Sequence, residues 1–143
     1  MTKDFEEEHF QIYNIIDRLR EECREQYGSL YKASKVFGQS LNKYLSNSAC
    51  HLGFGLLIRL CRFLNISVQY ATFGGVKENF VEQKITLNNF YKTYKEVNAG
   101  NVDHNVYVLW WNFKNGKRNA VSLKYIINTA KKSRKTVDFL LGG

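Results

Sequence analysis

Proline is absent from this 143-residue chain. Proline's ring fixes φ and removes an amide donor, so its absence argues against long structured loops and suits helices joined by short Gly and Asn turns. Also missing is any run near the ~18 consecutive apolar residues of a transmembrane helix. The first eight residues, Met1 to Glu8, are acidic and contain no signal-peptide core, which predicts a cytoplasmic protein without a membrane role. Cysteine is scarce and odd in number: Cys23, Cys50 and Cys61 match no disulfide framework. His51 follows Cys50, but there is no CxxC pair and Cys61 falls in an apolar helical stretch, so buried thiols are expected rather than a metal site. The phrases GxSxG and HExxH and the phosphate-binding P-loop are all missing. His9, His51 and His104 have no metal spacing, and Asp103-His104 is a lone acid–His neighbour of ordinary surface type. The expectation is a protein with no catalytic residue, cofactor or metal.

Acid is present, but not where the base is. Residues 1–25 hold eight acids against four bases, and the remainder holds 17 bases against five acids. Two stretches, 26–77 and 104–137, contain bases and no acid. A face of one sign attracts polyanions over a Debye length of ~8–10 Å at physiological salt. The total is +8, which suits nucleic acid but by itself does not separate DNA from RNA or an anionic membrane.

What is present is a repeated pattern. Two Gly-Gly pairs, Gly74-Gly75 and Gly142-Gly143, each follow an amphipathic helix, a hydroxyl residue opening a second short helix, and an apolar pair. Matching Leu56 to Gly75 with Lys124 to Gly143 gives an offset of 68 residues without a gap. Self-similarity of this kind indicates duplicated units, here 1–75 and 76–143. In the first, residues 8–26 carry Phe10, Tyr13, Ile16, Leu19 and Cys23 at spacings of three and four. Gly28-Ser29 supplies a stop and a cap. Further helices are predicted over 29–36, with Leu30 and Val36 inward, over 39–47, with Leu41, Tyr44 and Leu45 inward, over about 53–64, and from Ser67.

Five short helices in this order, with Gly55-Leu56-Leu57-Ile58-Arg59-Leu60 through Ile66-Ser67 in one copy, and Val121-Ser122-Leu123 through Val137-Asp138-Phe139-Leu140-Leu141-Gly142 in the other, resemble the Cro and lambda-repressor type of helix-turn-helix domain, the XRE family. Phe113-Lys114-Asn115-Gly116-Lys117-Arg118 is similar to the phrase that often ends that family's third helix. The resemblance implies an all-α protein of two tandem five-helix helix-turn-helix domains, the second and third helices forming the DNA-reading unit and the second copy divergent. The family usually has Ala and, four residues on, Gly where those helices cross. Aligned on Leu30, this chain has Tyr31 and Lys35, which implies a shifted or wider crossing. In the second copy, residues 98–105 make a poor second helix.

A recognition helix presents polar side chains to a major groove ~12 Å wide. With Leu41, Tyr44 and Leu45 in the core, Gln39, Ser40, Asn42, Lys43 and Ser46 are left to read bases: Gln and Asn suit adenine, Lys suits guanine, and Ser is tolerant. Lys32 and Lys35 are the expected phosphate contacts, joined by Lys114, Lys117 and Arg118 from the second copy. There, Val106, Leu109, Trp110 and Phe113 fit a helical core stripe, which turns Tyr107, Val108 and Trp111 outward as an interaction or dimerisation surface. The same run is rich in β-formers and is followed by a good hairpin turn, Lys114-Asn115-Gly116-Lys117; the repeat favours helix. Together these features predict a sequence-specific regulator of double-stranded DNA, acting as a possible homodimer. A protein-interaction module that kept the fold without base reading, antirepressor-like, is the alternative.

Overall fold

A computed structural model describes residues 3–45, 52–116 and 123–143, with side chains in the first helix from residue 14 onward. Among these residues all regular structure is helical: α1 (Lys3–Tyr27), α2 (Leu30–Phe37), α3 (Leu41–Tyr44), α4 (Phe54–Leu64), α5 (Val68–Phe73), α6 (Asn88–Val97), α7 (His104–Lys114), α8 (Leu123–Ser133) and α9 (Val137–Leu141). No helix among them is long and apolar enough to cross a membrane.

The chain divides into two compact units, Met1–Leu52 with Leu56–Phe80, and Gly53–Gly55 with Val81–Gly143. The main boundary thus follows Phe80 rather than Gly75. Residues 76–80 stay with the first unit because they bond to it. Glu78 accepts the Ser67 amide at 2.8 Å, Asn65 Oδ1 accepts the Phe80 amide at 3.2 Å, and the Lys77 ammonium pairs with the carboxylates of Glu22 and Glu25.

In the first unit, Ile15, Ile16, Leu19 and Cys23 of α1 are buried, the three-and-four spacing placing them on one face. Ala33, Leu41, Leu45, Leu57, Leu60, Cys61, Leu64, Val68 and Ala71 are buried in the same unit. Each large side chain removed from water contributes about 1.5–3 kcal/mol. α1 packs on α2 and α5, and α2 on α3. The Phe63 ring lies 5.1 Å from both Tyr27 and Phe37, tying α4 to the first two helices. One inward expectation fails. Val36 is 63% exposed; the buried position of α2 is Ala33, and Phe37, one turn further on, is half-buried.

The second unit is built on α6, which packs against α7, α8 and α9, with α8 on α9. Leu141 accepts the amides of Thr86 and Leu87, and Gly142 accepts that of Asn89, so the last residues cover the first turn of α6. At Gly143, φ is +111° and an added Cβ would lie 2.6 Å from Asn89 Oδ1 and 3.1 Å from the Asn89 nitrogen. That approach admits glycine alone. The run 106–113 lies within a helix, not a strand. Asp103 caps it, its carboxylate accepting the Asn105 amide at 2.7 Å, and helical spacing puts Val106, Leu109 and Phe113 together in the core. Between Val97 and His104 the chain turns through left-handed Ala99 and Gly100. Residues 98–105, a poor second helix by sequence, form no separate helix, and the last two of them belong to α7.

The recurring element is a helical hairpin, and its register differs by one residue from the ungapped match. α4 and α5 recur as α8 and α9 at an offset of 69: Leu57, Ile58, Leu60, Cys61, Val68, Ala71 and Thr72 are buried, and so are Ile126, Ile127, Thr129, Ala130, Val137, Leu140 and Leu141. Left-handed Asn65 and Arg134 occupy the same place in the turn, and the caps Ser67 and Thr136 each accept the amide three residues on. The Gly-Gly pairs suggested 68 because α9 is one residue shorter than α5.

Candidate nucleic-acid interface

The predicted reading surface lies on α2, the turn after it, and α3. Ser29 opens α2 by accepting the Lys32 amide at 3.1 Å. Gly38 ends it at φ 92°, its amide donating to Ser34, a left-handed cap that glycine adopts without a Cβ clash. Ser34 then holds the next helix: its hydroxyl donates to the Leu30 carbonyl at 2.7 Å and accepts the Leu41 amide at 2.9 Å. The small residue at the meeting of these helices is therefore Ser34, four before Gly38. Tyr31 and Lys35 lie on the outer face, where Tyr31 is 63% exposed and the Lys35 ammonium sits 4.6 Å from its ring centre.

Tyr31, Ser34, Lys35, Gly38, Gln39, Ser40 and Asn42 line one open groove of about 390 Å³. Five of the predicted residues are thus brought together or lie next to one another: Lys35, Gln39, Ser40 and Asn42 on the groove, and Lys43 exposed beside it. Lys32 is exposed on the first turn of α2. The placement differs from the expected 39–47 helix in one respect. Gln39 and Ser40 belong to the turn, Ser40 being the extended residue before α3, and the helix itself runs only from Leu41 to Tyr44. Leu41 and Leu45 are buried and Tyr44 half-buried, which orients Asn42 and Lys43 outward. Ser46, Lys117 and Arg118 lie outside the described residues, as does the pairing of Cys50 with His51.

In the second unit, Tyr107 and Trp111 are 44% and 49% exposed, as the helical stripe requires, but Trp110 is not fully in the core. Its ring stacks on Tyr91 at 4.4 Å and its indole N–H donates to Asn88 Oδ1 at 3.2 Å. Tyr107 lies 6.4–6.5 Å from Tyr91, Trp110 and Trp111. Lys114 belongs to this face, with its ammonium 5.1 Å from the Trp110 ring centre, as Lys95 does over Tyr91 at 5.0 Å. Sequence reasoning missed Tyr31, Tyr91 and Lys95. Their signal was available: Tyr31–Lys35, Tyr91–Lys95 and Trp110–Lys114 all follow the i, i+4 spacing that brings side chains together on a helix.

Charge is divided unevenly. Residues 1–80 carry ten bases and nine acids, whereas 81–143 carry eleven bases and four acids, a net of +7. In the first unit the acids gather on α1, leaving α2 and α3 without any. Among the described residues no group of His, Cys, Asp and Glu could hold a metal ion, and the side chains of Cys23 and Cys61, which form no disulfide, are buried. Compared with known proteins, the chain matches no protein-family model, no curated protein and no solved structure.

Proposed function

We propose that this chain is a non-enzymatic, sequence-specific double-stranded-DNA-binding regulator of the repressor type, with α2 and α3 acting as a helix-turn-helix of the XRE kind. The observation that carries the reading is the α2–α3 groove: Lys35, Gln39, Ser40 and Asn42 line it, Lys43 stands exposed beside it, and no acid occurs from residue 26 to 77. Asn42 and Gln39 offer the bidentate amides that suit adenine, Lys43 a donor for guanine, and Lys32 and Lys35 charge for phosphates. Ser34 fixes the angle at which α3 is presented, which a base-reading element needs. A single unit of this kind reads half a site, so a homodimer would supply the other half. Residues 98–103 of the second unit, where the repeat places α2, form no helix, which supports assigning base reading to the first.

One observation favours the alternative of an antirepressor-like interaction module: regular α3 spans a single turn, short for a helix that must reach several base pairs. Selection from a random duplex library at two salt concentrations separates the two. The regulator enriches a motif and loses affinity steeply with salt; Lys35→Glu with Lys43→Glu abolishes retention. Failure to retain duplex at either salt would overturn the proposal in favour of the interaction module.

A further inference from the structure

The α6–α7 face of the second unit contributes nothing to base reading by α2 and α3, yet it concentrates features that serve one purpose. Four aromatic rings, Tyr91, Tyr107, Trp110 and Trp111, form a contiguous cluster of two stacked pairs, Tyr91 with Trp110 and Tyr107 with Trp111, and Tyr107 is tilted against the first pair, with neighbouring centres 4.4–6.5 Å apart. Two of the four are among the most exposed large apolar side chains described. Lys95 and Lys114 hold ammonium groups at 5.0 and 5.1 Å from ring centres of the same cluster. The surrounding unit carries a net charge of +7.

We infer that this face binds unpaired nucleic-acid bases by stacking, the lysines and the basic unit taking the phosphate backbone. Exposed rings give a flat apolar surface to which every base is complementary, and adjacent cations neutralise the strand that carries the bases. The charge decides between occupants. A second copy of this chain would bring another unit of +7 against the first, whereas a single strand brings one negative charge per nucleotide. A duplex keeps its bases stacked on each other and offers the rings only its edges. The inference stands independently of duplex reading by α2 and α3: it uses different residues in the other unit.

Trp110 and Trp111 are the only tryptophans in the chain, so fluorescence excited selectively in tryptophan, at wavelengths beyond tyrosine absorption, reports on this face alone. Oligothymidylate of about twelve nucleotides, a typical length for one stacking site, is titrated into the full-length protein at low salt. A duplex and an abasic oligomer of equal length serve as comparisons, the latter keeping the phosphates without bases. Saturable quenching by oligothymidylate, with affinity roughly tenfold or more above the abasic oligomer, is the expected result. Tyr107→Ala and Trp111→Ala each weaken oligothymidylate binding by about tenfold, while Lys35→Glu with Lys43→Glu leaves it unchanged. Equal binding of the abasic oligomer would reduce the face to general electrostatics and overturn the proposal. So would an absence of quenching, or a dimer in sedimentation that Trp111→Ala dissociates. Loss of duplex selection with oligothymidylate binding intact would refute the reading of α2 and α3 and leave this one standing.

Discussion

Arg18 closes a helix end that its own helix does not contain. Its guanidinium donates to the carbonyls of Ala71 at 3.2 Å and Thr72 at 2.9 Å, groups that the C-terminus of α5 leaves without intrahelical partners. Gly74, at φ 77°, lets the chain turn away there, and an added Cβ would meet Arg18 Nε at 3.1 Å. Arg18→Ala should lower stability in urea unfolding by about 1–3 kcal/mol, and Gly74→Ala by about 1–2 kcal/mol through backbone strain; an unchanged midpoint for both would show that α5 is held otherwise. Cys23 makes a different residue-scale prediction. Burial, with the neighbouring Glu22 charge, pushes its thiol up to about 11 from an ordinary 9.0. The folded value is the raised one, so the stability is fully present below pH 9 and is lost as pH rises from 9 to 11, by about 2–3 kcal/mol in all. Lys77 acts in the same direction: the carboxylates of Glu22, then Glu25, hold it charged well above the usual lysine range. Cys23→Ala should flatten the measured loss of stability between pH 9 and 11. In a Cys50→Ser background, neither Cys23 nor Cys61 should react with a thiol reagent until the protein unfolds, since the thiolate is the reactive form.

At the scale of elements, two short helices depend on single polar groups. α3 is one turn long, too short to stand alone, and its first amide is held by Ser34. Ser34→Ala keeps the small size and removes the acceptor, so stability should fall by about 1–2 kcal/mol and duplex affinity should fall with it as α3 loses its orientation. Retained affinity would separate α3 from recognition. α7 depends on the Asp103 cap in the same way. Asp103→Ala should cost about 1 kcal/mol and reduce helical signal in circular dichroism, because the β-rich run after it has little helix preference of its own.

For the whole molecule the decisive quantity is where the charge sits. The first unit is nearly neutral and the second carries most of the net +8, so sequence-independent affinity for polyanions should come chiefly from the second. Lys131, Lys132, Arg134 and Lys135 are all exposed at the end of α8 and the turn after it. Replacing the four with glutamine should shallow the slope of log K against log salt, by up to ~0.9 for each phosphate no longer neutralised, while leaving intact the motif selected from a duplex library. A changed motif would place base reading in the second unit.

The sequence by itself determined the class: all helical among the described residues, with short Gly and Asn turns, and built around three-and-four stripes such as Ile16, Leu19 and Cys23. These are local properties, set by side-chain spacing and by caps such as Ser29 and Ser67 that act within a few residues. It also held the exposed positions of Gln39, Asn42 and Lys43, because Leu41 and Leu45 could face only inward. What tertiary structure decided involves partners far apart in the chain. The one-residue slip in the repeat was hidden by matching Gly-Gly pairs, since only burial distinguishes offsets of 68 and 69. Ser34 escaped notice because its importance comes from the amide of the next helix. Tyr91 joined Tyr107, Trp110 and Trp111 only when α6 met α7, for a stacked surface is a property of two helices and is carried by neither alone.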